Sequence, residues 1–166
     1  AGEERDYGIF RTCISEMKAP DGREGNFVRI KVPDWIYIVA VVRDDSGRDC
    51  FLMVRQYRHG TGRITTEFPA GTVEPGEDPM ETAFRELKEE TGYEAEKMTL
   101  IGSVNTHCAM MNNTCHTFFA EGLRKTSGQD LDYDETIDVV LVPVEEAEGP
   151  SMAELEEGAP IRWEDA

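Results

Sequence analysis

Residues 71 to 93 read "GTVEPGEDPMETAFRELKEETGY", and the second half of this stretch has helical spacing. Met80, Ala83, Phe84, Leu87 and Thr91 recur at intervals of three and four, which predicts one core-facing stripe. Asp78 is placed to act as N-cap, with Pro79 at the first helical position and Glu81 completing a capping box, while Gly92 supplies a left-handed terminator. The same helix crowds Glu86, Glu89 and Glu90 into less than two turns. Glu86 and Glu90 are neighbours across one turn and repel each other beside the apolar stripe, whereas Arg85 and Glu89 form an opposite-charge pair. Two readings follow. One is a solvated acidic face, natural in a chain with 34 Asp and Glu against 17 Lys and Arg. The other is half of a site for a hard divalent cation, since Mg2+ and Mn2+ take oxygen ligands and are held by a few carboxylates plus substrate phosphates.

The chain as a whole narrows the choice. Its 166 residues are one domain by length. A formal net charge of -17 argues against a broad nucleic-acid-binding surface, so an anionic substrate needs local help. Cys13, Cys50, Cys108 and Cys115 show neither a CxxC nor a secretory framework, which fits reduced thiols in a cytoplasmic protein. The longest apolar run, "WIYIVAVV" at 35 to 42, is too short to cross a bilayer and reads as a buried strand, so no membrane association is expected.

Along the chain, "YGIFRTCIS" and "NFVRIKV" flank the turn-like "APDGREG" and predict a hairpin. Pro33 and Asp34 punctuate. "WIYIVAVV" and "CFLMVRQY" are strands joined by "RDDSGRD", and "RHGTGR" leads into "ITTEFPAG". After the helix, "MTLIGSV", "CHTFFAEGL" and "TIDVVLVPV" read as three more strands, followed by a short helix "SMAELEEG" with Ser151 and Glu154 as a capping box. The order is α/β, a mixed sheet sandwiched by helices.

Gly71, Glu77, Arg85, Glu86, Leu87, Glu89, Glu90 and Gly92 stand at the spacings of the Nudix box. In that family the pattern is G, five residues, E, seven residues, REU, one residue, EE, one residue, G and U, with U a bulky aliphatic. Only the last position departs, with Tyr93 in place of Ile, Leu or Val, and tyrosine still offers a bulky apolar body. The resemblance implies an α/β/α sandwich of Nudix type and hydrolysis of a nucleoside diphosphate linked to another group with Mg2+ or Mn2+. It implies Glu86 and Glu90 as core metal ligands, Glu89 supporting a further metal or its waters, and the Ala70 carbonyl completing a site. Arg85 is implied to orient a carboxylate, with Glu77 as a candidate partner. Metal ions fit this chemistry, because water must reach an already negative phosphorus.

Upstream, "EFPAG" at 67 to 71 and "VRQYRHG" at 54 to 60 resemble the ADP-ribose pyrophosphatase branch. In that branch an N-terminal extension like residues 1–33 builds an intertwined homodimer around a hydrolase domain, here 34–166. The resemblance implies ADP-ribose, split to AMP and ribose 5-phosphate. Arg55, Arg58, His59 and Arg63 form a basic island, and Arg is suited to a diphosphate; Arg58 and Arg55 are candidate contacts, with solvated charge the simpler account of Arg55 and Arg63. Glu67 resembles a position that reads substrate or metal. Trp35 is a candidate adenine-stacking residue, set against an ordinary core role. Glu135, in "DLDYDETID", is the candidate water-activating base, with Asp134 and Asp132 as alternatives. One departure concerns "SVNTHCAMMNNTCH", which lacks a proline common in that branch and has Cys108 near its place. His107, Cys108, Cys115 and His116 invite a zinc reading, but adjacent strand residues point to opposite faces. The rival functions are a relative acting on GDP-mannose, a dinucleoside polyphosphate or a nucleoside triphosphate, and a nucleotide-binding sensor without catalysis.

Overall fold

The computed structural model describes residues 4–131, 133 and 136–147. An N-terminal sheet holds β1 (Arg5–Asp6), β2 (Arg11–Lys18) and β3 (Glu24–Lys31), with β2 and β3 forming the expected hairpin. The main sheet holds β4 (Trp35–Arg43), β5 (Asp49–Arg58), β6 (Arg63–Glu67) and β7 (Ala70–Thr72). The helix α1 (Pro79–Thr91) follows, and then β8 (Tyr93–Glu94), β9 (Lys97–Asn105), β10 (Thr114–Glu121), β11 (Arg124–Lys125) and β12 (Ile137–Pro143). The main sheet runs β12-β5-β4-β10-β9, mixed because β10 lies parallel to β4. The expected helix over 151 to 158 falls outside the described residues.

One irregularity of this sheet positions the site. β4 and β5 pair only where Val41–Arg43 meet Asp49–Phe51. Beyond that they splay, and β6 pairs along β5 while β7 pairs along β4, filling the wedge. The link between β6 and β7 is pinned by buried Pro69, whose carbonyl accepts from Ile38 N at 2.8 Å. The residues from Glu67 to Thr72 are therefore carried across the sheet to the face of α1.

The core forms where alternate residues of β4 meet the helix. Ile36, Ile38 and Ala40 pack with Leu52, Met98, Phe118 and Ala120 against Ala83 and Leu87 of α1. Met80 and Phe84, expected in the helical stripe, are instead half-exposed at its margin, and the buried face runs through Thr82, Ala83, Leu87, Glu90 and Thr91. Asp78 caps α1 by accepting from Met80 N at 2.8 Å, the first free donor after Pro79. A reciprocal bond from Glu81, which the capping box requires, is not present among the described residues. Gly92 adopts φ 72° and ends the helix. The loop that follows β11 covers that end: Asp130 N donates to the Glu89 carbonyl, Gln129 Nε2 to the Glu90 carbonyl and Thr126 N to the Gly92 carbonyl. These bonds satisfy carbonyls that a helix terminus leaves unpaired.

Among the described residues no helix is long and apolar enough to cross a membrane. Gly92 is constrained twice, by its positive φ and by a Cβ that would lie 2.4 Å from the Ser127 carbonyl oxygen. Gly92→Ala is expected to destabilise the fold by about 2 kcal/mol, lowering Tm by roughly 4–8 °C; thermal unfolding followed by circular dichroism checks this, and an unchanged Tm would contradict it.

Candidate active site

Arg85 and Glu90 set the geometry of the helix rim from two sides. Arg85 donates through Nε and Nη2 to the two carboxylate oxygens of Glu77, at 3.0 and 3.1 Å. Its Nη1 bridges Glu86 Oε1 at 2.8 Å and Glu89 Oε2 at 2.9 Å. One guanidinium thus holds three carboxylates, in the bidentate and charge-assisted geometry that arginine favours. Glu77 also accepts from Glu74 N at 3.2 Å and so closes the turn that leads into the helix. The Arg85 guanidinium pulls the Glu77 carboxyl down to about 2, against desolvation, which acts to raise it.

Glu90 is only 2 % exposed. A buried carboxylate requires partners, and its Oε2 accepts from Ala70 N at 3.1 Å. Helical geometry sends Glu86 and Glu90 along the same side of α1, where successive residues of β7 meet them, Ala70 at Glu90 and Gly71 at Glu86. Gly71 makes the approach possible, since a Cβ there would lie 2.0 Å from Glu86 Cδ. Any side chain at this position of β7 would push Glu86 away.

Beside this rim lies a cavity of about 560 Å3 whose wall includes Trp35, Tyr37, Arg58, Ala70, Arg85 and Glu86. The β6–β7 wedge opens it. Arg58 is forked onto Glu67, Nε to Oε1 at 2.9 Å and Nη2 to Oε2 at 2.8 Å, and Thr65 Oγ1 also donates to Glu67. The Arg58 hydrogen bonds hold the Glu67 carboxyl below its ordinary value against the opposing effect of burial. Trp35 borders the cavity.

Not every candidate gathers here. Arg55 is three residues from Arg58 on β5, so it projects from the other face and pairs with Asp138 across the ladder, Nη2 to Oδ2 at 3.4 Å. Glu135, Asp134 and Asp132 lie outside the described residues. His116 binds Ser103 Oγ through Nδ1 at 2.8 Å and faces Asp34, whereas Cys115 is buried. Tyr37 was missed as a wall residue, although it shares a strand face with Trp35 two positions earlier and alternation alone could have found it. Burial pushes the Tyr37 phenol above its usual value, with the charges of Cys115 and Glu67 adding to the shift.

A divalent cation fits this donor set. Among the described residues no three His, Cys, Asp or Glu side chains converge at metal-ligand spacing, because Arg85 draws Glu86 and Glu89 while Ala70 N holds Glu90. Mg2+ does not demand such a cluster, since it is bound through one or two carboxylates plus water and substrate phosphates. Glu86 and Ala70 line the cavity and Glu90 lies buried against Ala70 N, so oxygens of these residues are the hard donors that such an ion would use.

Comparison with known proteins identifies the family. The NUDIX domain family matches residues 35–163. The chain is 36% identical over 135 residues to an ADP-ribose pyrophosphatase of Bacillus subtilis (strain 168), covering 81% of this chain and 71% of that protein. It is 33% identical over 140 residues to a methanol dehydrogenase activator of Bacillus methanolicus, covering 84% and 74%. Among solved structures, a crystal structure of an ADP compounds hydrolase superposes with a TM-score of 0.71 at 24% identity, covering 93% of this chain and 78% of that one. That likeness concerns the fold.

The Glu77 shift sets a pH dependence. A carboxyl held at about 2 in the folded state against an ordinary 4.5 stabilises the fold above pH 4.5, and that contribution drains away as pH falls from 4.5 towards 2. Glu77→Gln is expected to be less stable than the wild type at pH 7 and to lose less stability across that acid window, as read from Tm against pH. Equal slopes for the two proteins would contradict the assignment.

Proposed function

The chain belongs to the NUDIX domain family and is a hydrolase of the diphosphate bond in nucleoside diphosphate sugars; from that premise we propose that its substrate is ADP-ribose, split to AMP and ribose 5-phosphate in the cytoplasm. The observation that carries the reading is the juxtaposition of an arginine-organised carboxylate rim with a cavity bearing Arg58 and Trp35. The names of the relatives support it, as they include an ADP-ribose pyrophosphatase and, at 36% identity over 86 residues, an ADP-sugar pyrophosphatase of Mus musculus.

In this reading Glu86, Glu90 and the Ala70 carbonyl hold Mg2+ or Mn2+, with Glu89 on a further ion or its waters. When bound, such an ion neutralises charge on the phosphates and lowers the pKa of attacking water. Arg85 orients Glu86 and Glu89 so that their oxygens need no reorganisation during the reaction. Glu77 fixes the other edge of the same guanidinium. Arg58 presents its remaining donors to the diphosphate while Glu67 holds its fork in place, and Trp35 offers a ring face to the base. Arg55 is set apart from this site by its strand face. Glu135 is the proposed proton acceptor for the attacking water, on its place in the sequence before β12.

The N-terminal sheet is proposed to dimerise the protein. Ile14 and Val28 are paired on one face of the β2–β3 hairpin and Met17 and Phe27 lie on the other, all four exposed, and exposed apolar side chains on both faces suit a sheet that packs against a second copy. A sedimentation mass of two chains at micromolar concentration is expected, reduced to one by Phe27→Asp; a wild-type monomer would count against it.

A hydrolysis screen of nucleoside diphosphate derivatives with Mg2+ and Mn2+, with products identified, tests the activity. ADP-ribose is expected to yield AMP, and Glu90→Gln is expected to lower kcat/KM by about 100-fold or more. Preferential turnover of GDP-mannose or a nucleoside triphosphate would move the substrate within the family. Nucleotide binding without turnover would instead favour a non-catalytic nucleotide-binding sensor.

A further inference from the structure

The β5–β6 ladder carries a charge arrangement that the carboxylate rim does not explain. Arg58 and Arg63 are directly paired in its register, and paired residues of a ladder share a face. Alternation adds Gln56, Thr65 and Glu67 to that face, which borders the cavity at Arg58. Like charges set directly opposite are destabilising. Glu67 is the acid at hand, and Arg58 occupies both of its oxygens. Arg63 has no ion-pair partner among the described residues, in a chain with twice as many acids as bases.

We propose that Arg63 is a specificity-determining residue that reads the negative charge of the ligand's diphosphate from beside Arg58. The inference rests on the reading of the cavity as a nucleoside diphosphate site. Arg58 and Glu67 nearly cancel, so the guanidinium of Arg63 supplies the net positive charge of this face. An anionic group entering the cavity next to Arg58 relieves the repulsion between the two arginines, which an uncharged nucleoside cannot do. Arg63 thus separates phosphorylated ligands from nucleosides, while Trp35 makes no such distinction.

The test is calorimetric titration of the full chain with ADP and with adenosine in the presence of Mg2+, using wild type, Arg63→Gln, Arg63→Lys and Arg5→Gln. Arg5 also lacks an ion-pair partner among the described residues but lies on β1, so its variant controls for net charge. Arg63→Gln is expected to weaken ADP about tenfold and to flatten its salt dependence while leaving adenosine unchanged. Arg63→Lys should recover part of the loss and Arg5→Gln should show none, with Tm confirming that each variant is folded. Equal ADP affinity in wild type and Arg63→Gln, or a parallel loss of adenosine, overturns the proposal. If Arg63→Gln binds ADP as wild type does while ADP-ribose is cleaved, the role of Arg63 falls and the hydrolase reading stands. If ADP binding depends on Arg63 but no nucleoside diphosphate sugar is cleaved, the reverse holds. Failure of wild type to bind either ligand removes both.

Discussion

The site depends on one guanidinium. Arg85 holds Glu77, Glu86 and Glu89 at once, through four hydrogen bonds between 2.8 and 3.1 Å. Without it, Glu86 and Glu89 on the helix rim would spread apart into solvent. With it, the carboxylates are fixed relative to the backbone of α1, and through Glu77 to the turn at Glu74. The helix in turn is fixed by its core contacts and by the loop that binds its last carbonyls. Precision at the rim is therefore inherited from packing through a single polar hub.

The second constraint is the splayed pair of strands. Had β4 and β5 paired along their full length, no room would exist for β6 and β7, and the segment from Glu67 to Thr72 would run elsewhere. Because the strands part after Val41 and Phe51, that segment delivers Ala70 N to buried Glu90 and Gly71 to Glu86. The same opening leaves the cavity into which Trp35, Tyr37 and Arg58 project. Sheet irregularity and the geometry of the site are thus one feature seen from two sides.

Much of this was legible in the residues. Helical spacing and terminators located α1 to the residue, from Asp78 at its start to Gly92 at its end, because caps and periodicity are local signals. The strands of the main sheet were legible for the same reason. Their order was not, since the parallel pairing of β10 with β4 joins Cys115 to Trp35 and Ala120 to Ala40, far apart along the chain. The burial of Glu90 and the exposure of Phe84 were also hidden, because both depend on where β7 passes over the helix. Arg55 illustrates a signal that was present but unused: three residues from Arg58 on one strand, it has the wrong parity to share its face. Local chemistry was readable, and what partnered it across the sheet was not.

The central claim is that the acidic rim of α1 is built to receive a divalent cation. A Mn2+ titration of the full chain, followed by electron paramagnetic resonance and run beside Glu86→Gln, measures this most directly. The wild type should remove free-ion signal with saturation at about one or two ions per chain, and the variant should bind about tenfold or more weakly. Equal binding by the two proteins, or none by either, would mean that the carboxylates gathered by Arg85 form an internal salt-bridge network and nothing more.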